Sequence, residues 1–174
     1  MSLTFNMRSI RIGNGFDVHA FADGRELILG GVNIPYSKGL AGHSDADVLT
    51  HSIVDSLLSP ANLGDIGKLF PDTDPAYKDI SSLILLEQVY EKISAAGFKI
   101  INIDSVIICE SPKIAKYTDT MKENLSMAMK SEIGPESIGI KGKTTERLGF
   151  TGRGEGIAVY TVSLLYRESF INNK

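Results

Sequence analysis

An α+β domain is the architecture this sequence predicts: a mixed four-stranded sheet with helices on one face and a small hairpin beside it. Three observations carry that expectation. Strand-like runs alternate with helical runs early in the chain. The last two strand-like runs are joined with no room for a crossover helix, and a Gly-Gly pair separates two short apolar runs. The 174 residues, 43% hydrophobic and 22% charged, are ordinary for one soluble globular unit. No repeat, low-complexity tract or linker divides them, so residues 10–166 are expected to form a single domain. Residues 1–9 read as a disordered or vector-derived extension, with Met7 a natural start, and residues 167–174 as a tail.

The first strand is expected over residues 10–21, where β-branched and aromatic residues surround Gly13 and Gly15; glycine inside a strand marks a bulge or a close backbone approach. The pair does not extend to GxGxxG, because Val18 holds the third position, which removes a dinucleotide fingerprint. Residues 26–35, ELILGGVNIP, read as a hairpin about Gly30 and Gly31. A helix is predicted from a cap at Ser44 or Asp45 to Leu58, with Val48, Val54, Leu57 and Leu58 inward. Residues 63–75, rich in Gly, Asp and Pro, read as a long irregular loop, uncommon in a compact domain unless it binds something. A second amphipathic helix follows over 81–96, ended by Gly97, and a strand over 100–109. A third helix is expected over 113–131 after Pro112, broken by Gly134 and Pro135, then strands over 138–144 and 156–165.

Composition narrows the chemistry. A formal net charge of −3 argues against a nucleic-acid partner, so an anionic ligand must be held by local cations and backbone amides. The single cysteine, Cys109, cannot close an internal disulfide, and no run approaches the ~20 apolar residues of a membrane span; a cytoplasmic protein is expected, with no membrane partner.

Asp17 and His19 are two apart on a strand and therefore point to one side. His51 lies in the helical run GHSDADVLTHSIVDSLL, and one carboxylate with two imidazoles and an open position is the ligand set of a catalytic zinc. Asp47 and Asp55 share a helical side with His51, and spacing leaves open whether either joins it. His43 and Ser44 are either neighbours of a helix cap or part of an anion site at a helix N-terminus. Asp72 and Asp74 form Asx turns or touch a ligand, while Asp65 and Gly67 permit a backbone that approaches a hydroxylated ligand. KGKTTER fails as a P-loop, since Ser137 stands at the required first glycine. Thr144, Thr145 and Glu146 then read either as a capped turn or as ligands of a magnesium or manganese carried on substrate phosphates. Phe150 and Arg153 either pack in a glycine-rich turn or line a pocket.

Taken together, GFDVHAF, GHSDADVLTH, LGDIGKLFPDTDP and TTERLGFTGRGEGIAVY, in this order and at these spacings, closely resemble the 2-C-methyl-D-erythritol 2,4-cyclodiphosphate synthase family of the non-mevalonate isoprenoid pathway, over residues 11–165. The resemblance implies a homotrimer with active sites between subunits. Its substrate is 4-diphosphocytidyl-2-C-methyl-D-erythritol 2-phosphate, whose 2-phosphate attacks the β-phosphorus and expels CMP. By the same resemblance zinc is held by Asp17, His19 and His51, and magnesium or manganese by Glu146, while His43 and Thr144 stabilise the transition state. Asp55 becomes a carboxylate behind the metal ligands or beside substrate. Substrate contacts are implied for Asp17, Val18, His19, His43 and Ser44; for Asp65, Ile66 and Gly67; and for Phe70, Pro71, Asp72, Thr73 and Asp74. The cytidine pocket, supplied by a neighbouring subunit, is implied at Cys109, Glu110, Ser111, Pro112, Lys113, Ile114 and Ala115, with Lys143, Thr144, Thr145 and Glu146 near the diphosphate. A cavity on the threefold axis that takes an isoprenoid diphosphate is implied at Phe16, Phe150 and Arg153, with Tyr160 where a glutamate is expected.

The open metal position also admits a zinc-dependent phosphate hydrolase, in which it activates water. A non-catalytic trimer that binds isoprenoid diphosphates is the third reading, and the intact metal and threonine motifs argue against it.

Overall fold

The computed structural model describes residues 10–167; the expected extension at residues 1–9, and residues 168–174 of the expected tail, lie outside the described residues. Among the described residues, seven strands and five α-helices follow one another as β1 (Ile10–Ala22), β2 (Leu27–Leu29), β3 (Val32–Ile34), β4 (Gly39–Leu40), α1 (Val48–Ala61), α2 (Ile66–Leu69), α3 (Ser82–Ala95), β5 (Phe98–Ile108), α4 (Thr118–Ala128), β6 (Ile138–Lys143), α5 (Gly149–Gly152) and β7 (Gly156–Arg167). The main sheet has five strands in the order β4-β1-β7-β5-β6, rather than four, and β2 with β3 forms the separate hairpin. The additional strand is only two residues long, pairing Phe21 with Leu40 and Ala22 with Gly39, too short to leave a periodic signal. Only β5 and β6 run parallel, so the sheet is mixed.

The last two strands, though joined by a short connection, are not neighbours. β7 lies between β1 and β5, leaving β6 on the edge. The helical layer packs on one face of this sheet, with α1 over β1 and β7. Its apolar side merges with Ile103, Ile107, Ile157, Val159 and Leu165 from the sheet to form the core.

Gly13 and Gly15 mark a close approach, not a bulge. A Cβ on Gly13 would lie 1.8 Å from the Ser56 carbonyl oxygen, and one on Gly15 only 1.9 Å from that of Ser52. Helix α1 thus rests on the backbone of β1. Beneath it Ser52 donates to Thr161 Oγ1 at 2.8 Å, with Ser105 Oγ 2.9 Å from the same atom, so the buried hydroxyls satisfy one another.

Helix α1 starts later than expected. Ala46 takes a left-handed φ of 58°, and Asp47, not Ser44 or Asp45, caps Val48 by accepting from the Thr50 amide. The third helix is also shorter: a 3-10 turn at Ala115–Tyr117 precedes α4, because Ile114 is buried against Gly142 at the end of the sheet. Lys130 and Ser131, both at positive φ, close its other end.

Even-numbered residues of β1 point away from the helices. Ile12 and Phe16, exposed by 72% and 57%, lie on that outer face with Val18, Tyr160 and Val162. A row of large apolar side chains on an uncovered sheet face is a surface built to be buried.

Candidate metal centre and active-site pocket

Asp17 and His19 continue the odd-numbered row begun by Gly13 and Gly15, and so face α1. The helix runs back along that row, placing Ser56 over Gly13, Ser52 over Gly15, and His51 over the two polar residues. Asp17 Oδ2 lies 3.0 Å from His19 Nε2 and 3.1 Å from His51 Nδ1, and the two nitrogens are 3.3 Å apart. Ligand atoms around a tetrahedral zinc, with bonds of about 2.0–2.1 Å, are separated by roughly 3.3 Å. These three side chains, the group among the described residues able to hold a metal ion, therefore already stand at the spacing the ion needs.

The second ring nitrogens are also engaged. His19 Nδ1 donates to the Ala41 carbonyl, which can only accept, so the neutral ring keeps its Nε2 lone pair for the metal side. His51 Nε2 is 2.9 Å from Ser82 Oγ and 3.2 Å from Ser44 Oγ. Burial disfavours charge on Asp17, yet hydrogen bonds and positive charge from His19 and His51 outweigh it and hold the carboxyl well below the usual range. Burial likewise opposes charge on His19, and the Asp17 carboxylate more than compensates, raising the imidazole above its ordinary value. Both shifts describe a site that favours positive charge, which a divalent cation supplies.

The other two carboxylates on this helix do different work. Asp47 turns back over the helix start, accepting from Gly31 N at 2.8 Å and from the amide and hydroxyl of Thr50. Asp55 accepts from Ile66 N at 2.8 Å and so fixes the start of α2 on the pocket rim.

A cavity of about 490 Å³ opens over the triad. Its wall includes His43, Ser44, Ile66, Gly67, Phe70, Pro71 and Asp72, all singled out in the sequence, and Gly42, Tyr77 and Leu85, which were not. The Tyr77 ring meets Phe70 edge-on at 5.3 Å, a pairing whose only sequence signal was that both lie in or beside the aspartate- and proline-rich loop. Asp65 and Asp74 are not part of the wall; they cap turns by accepting from Lys68 N and Ala76 N. Thr73 is exposed and also absent from the wall. Val18 directs its side chain to the opposite face of the sheet, while its N–H donates to Asp17 Oδ1 at 2.8 Å.

At the far end of β5 and β6 a second, smaller cavity of about 130 Å³ is lined by Cys109, Pro112, Lys113, Ile114, Ala115, Gly142, Lys143 and Thr144. Burial pushes the Cys109 thiol up, making it a poor nucleophile. Glu110 and exposed Ser111 are not in that wall. Instead Glu110 Oε1 accepts from Thr145 N and Arg147 N at 3.1 and 3.0 Å, organising a turn in which Glu146 and Arg147 adopt φ of 53° and 66°. Thr144 Oγ1 donates to Glu146 within that turn, and Thr145 Oγ1 donates to Leu148 O. Phe150 is exposed, and Arg153 pairs with Glu155 at 2.7 Å; neither lines either cavity. The two cavities have no lining residue in common.

A carboxylate and two imidazoles preset for a cation, facing a cavity with a largely apolar wall, fit a metal-binding enzyme of the α+β class. Comparison with known proteins narrows this further. The YgbB family model matches residues 10–166, and the chain belongs to that family. It is 54% identical over 159 residues to the 2-C-methyl-D-erythritol 2,4-cyclodiphosphate synthase of Azoarcus sp. (strain BH72), covering 90% of this chain and 96% of that protein. The synthase of Dehalococcoides mccartyi (strain CBDB1) is 56% identical, over 90% of this chain and 98% of the relative. Among solved structures, the IspF of Plasmodium falciparum in complex with CDP superposes with a TM-score of 0.80 at 34% identity, covering 94% of this chain and 100% of that one. The bifunctional IspDF of Campylobacter jejuni gives a TM-score of 0.87 at 44% identity, covering 92% of this chain; the chain spans 43% of that longer protein.

Proposed function

We propose that this chain forms 2-C-methyl-D-erythritol 2,4-cyclodiphosphate in isoprenoid precursor biosynthesis. An oxygen of the substrate 2-phosphate attacks the β-phosphorus of the diphosphocytidyl group. The bond from that phosphorus to the bridging oxygen breaks, and CMP leaves with the oxygen. The attacking group belongs to the substrate, so the protein must fold the substrate for ring closure and offset its charge. The preset Asp17, His19 and His51 donor set carries this reading, together with the relatives' shared name.

Asp17 Oδ2, His19 Nε2 and His51 Nδ1 would hold a zinc and Glu146 a magnesium or manganese, and each ion would supply Lewis-acid charge to the phosphates. His43, at the rim of the triad cavity, donates to a phosphate there. Thr144 directs its hydroxyl to the phosphate that departs with CMP. Ile66, Gly67, Phe70, Pro71 and Asp72 hold the methylerythritol part against the metal side. The smaller cavity at Cys109, Pro112, Ile114 and Ala115 takes the cytosine, with Lys113 and Lys143 beside it to meet phosphate charge.

Two observations support an active site shared between subunits: the cavities have no wall in common, and one sheet face carries exposed apolar side chains. Packing three copies about that face would bury Ile12, Phe16 and Val162, with Phe150 and Arg153 at the margin of a central cavity that would take an isoprenoid diphosphate. A cytoplasmic setting is part of this proposal; among the described residues no helix is long and apolar enough to cross a membrane. Phosphorus NMR of the substrate with purified protein, before and after chelation, tests the reaction. Cyclic diphosphate and CMP in equal amounts are expected, ceasing on chelation. Release of inorganic phosphate would mark a hydrolase and overturn the reading.

A further inference from the structure

His51 faces the metal side through Nδ1, which requires its proton on Nε2, yet both neighbours of Nε2 are serine hydroxyls able to donate or accept. Something beyond them must decide the tautomer. Ser82 Oγ lies within hydrogen-bonding distance of Asp45 Oδ1, and Ser82 N donates to Asp45 Oδ2 at 3.0 Å. An ionised carboxylate only accepts, so the Ser82 hydroxyl proton must point to Asp45. Its lone pairs are then left for His51 Nε2–H. Ser44 Oγ, by contrast, accepts from Ala46 N at 3.2 Å.

We propose that Asp45, acting through Ser82, is a positioning residue that fixes the tautomer and ring orientation of His51 and so tightens metal binding; this rests on the reading that Asp17, His19 and His51 hold the metal. The three groups form a directional chain, His51 Nε2–H to Ser82 Oγ–H to the Asp45 carboxylate. His51 and Ser82 are buried and Asp45 is half-buried. The chain also explains why Asp45 does not begin α1. Its side chain reaches across to the first residue of α3, whose own N-cap, Ser81, makes no side-chain cap. The ligand helix and its neighbour are thereby tied at the metal side.

The test is zinc affinity, measured by chelator competition on the full chain, for D45N, S82A and the double variant. Each single change is expected to weaken zinc by 10–100-fold, the usual effect of removing a partner behind a metal ligand. The double variant should be no weaker than S82A alone, because groups acting in series lose their effect once. Proton NMR of the zinc-loaded wild type should show a slowly exchanging His51 Nε2–H that exchanges rapidly in D45N, where the serine itself remains. Should S82A fail to fold, D45N with that resonance decides the matter. Wild-type zinc affinity and an unchanged resonance in D45N, with H51A unable to bind, would overturn the relay alone. Wild-type zinc affinity in H51A would overturn the metal assignment itself.

Discussion

The two cavities are built by opposite strategies. Around the triad every ligand is held from behind: β1 and α1 lie in backbone contact, Ala41 and the serines engage the outer ring nitrogens, and Asp55 pins the rim. At the far end of β5 and β6, residues 144–150 are half-buried or exposed, and Glu146 and Arg147 sit at positive φ with one carboxylate, Glu110, organising the turn. The first region is pre-organised by its own chain and can bind a metal unaided. The second presents its groups outward, where in the assembly proposed above a neighbouring subunit and the substrate's phosphates would complete it. Pre-organisation of this kind costs folding freedom once and spares it at each turnover.

The hardest test of that contrast is His51→Ala. Cyclisation should fall by roughly 10³-fold or more, with zinc lost from the purified protein, since the remaining two donors cannot hold it tightly. The far cavity should survive, so that CDP still binds by calorimetry. Full activity would break the assignment, and loss of both metal and nucleotide would show that the regions are not independent.

Next in size is Gly15→Ala. One added methyl collides with the Ser52 carbonyl, which the helix cannot surrender without lifting off the strand. Overpacking against backbone should cost about 3 kcal/mol and weaken zinc as well, because His51 adjoins Ser52. Urea unfolding with and without chelator measures both. A wild-type midpoint would mean that α1 and β1 tolerate separation.

These residues also show how much could be read in advance. The i, i+2 pair on β1 and the hairpin at Gly30 and Gly31 were legible because local periodicity fixes side-chain direction, but periodicity could not show that the fold brings His51 over that pair, and the full ligand set rested on the resemblance. What spacing could not decide was wherever a side chain had two local uses. Asp47 shares a helical side with His51 on paper, but at the cap its carboxylate turns to its own helix start and to Gly31. Asp55 closes on a loop amide. The β4 strand exists only because Phe21 and Ala22 offer an edge to it, and the Asp45 and Ser82 contact spans 37 residues with no motif between. Asp74 makes the Asx turn that its setting had left open, and Asp65 caps α2.

On the outward-facing side, Glu146→Gln should leave zinc untouched while raising the magnesium or manganese needed for half-maximal rate by about tenfold. Glu110→Ala gives the sharper comparison. It removes the acceptor of Thr145 N and Arg147 N without touching the proposed cation ligand, so it should raise KM and the cation requirement together. An unchanged cation titration in both variants would remove this turn from the reaction.

The smallest effect expected is on the pH dependence of the chelated protein. The depressed Asp17 carboxyl contributes stability that is present above its unfolded value, near 3.8, and fades as pH falls toward its lower folded value. The raised His19 contributes stability that is complete below its unfolded value, near 6.5, and fades as pH rises through its higher folded value. Their mutual support is therefore greatest between about pH 4 and 6.5. Zinc binding has the opposite trend, because the metal must displace the proton that Asp17 helps His19 to keep, so apparent affinity drops as the solution is acidified through that range. The urea midpoint of chelated wild type should peak in this window, and Asp17→Asn, which removes one shift and the cause of the other, should flatten the peak. Superimposable pH profiles for the two proteins would show that the pair contributes nothing to the fold until a cation joins it, making the triad a site organised by its metal.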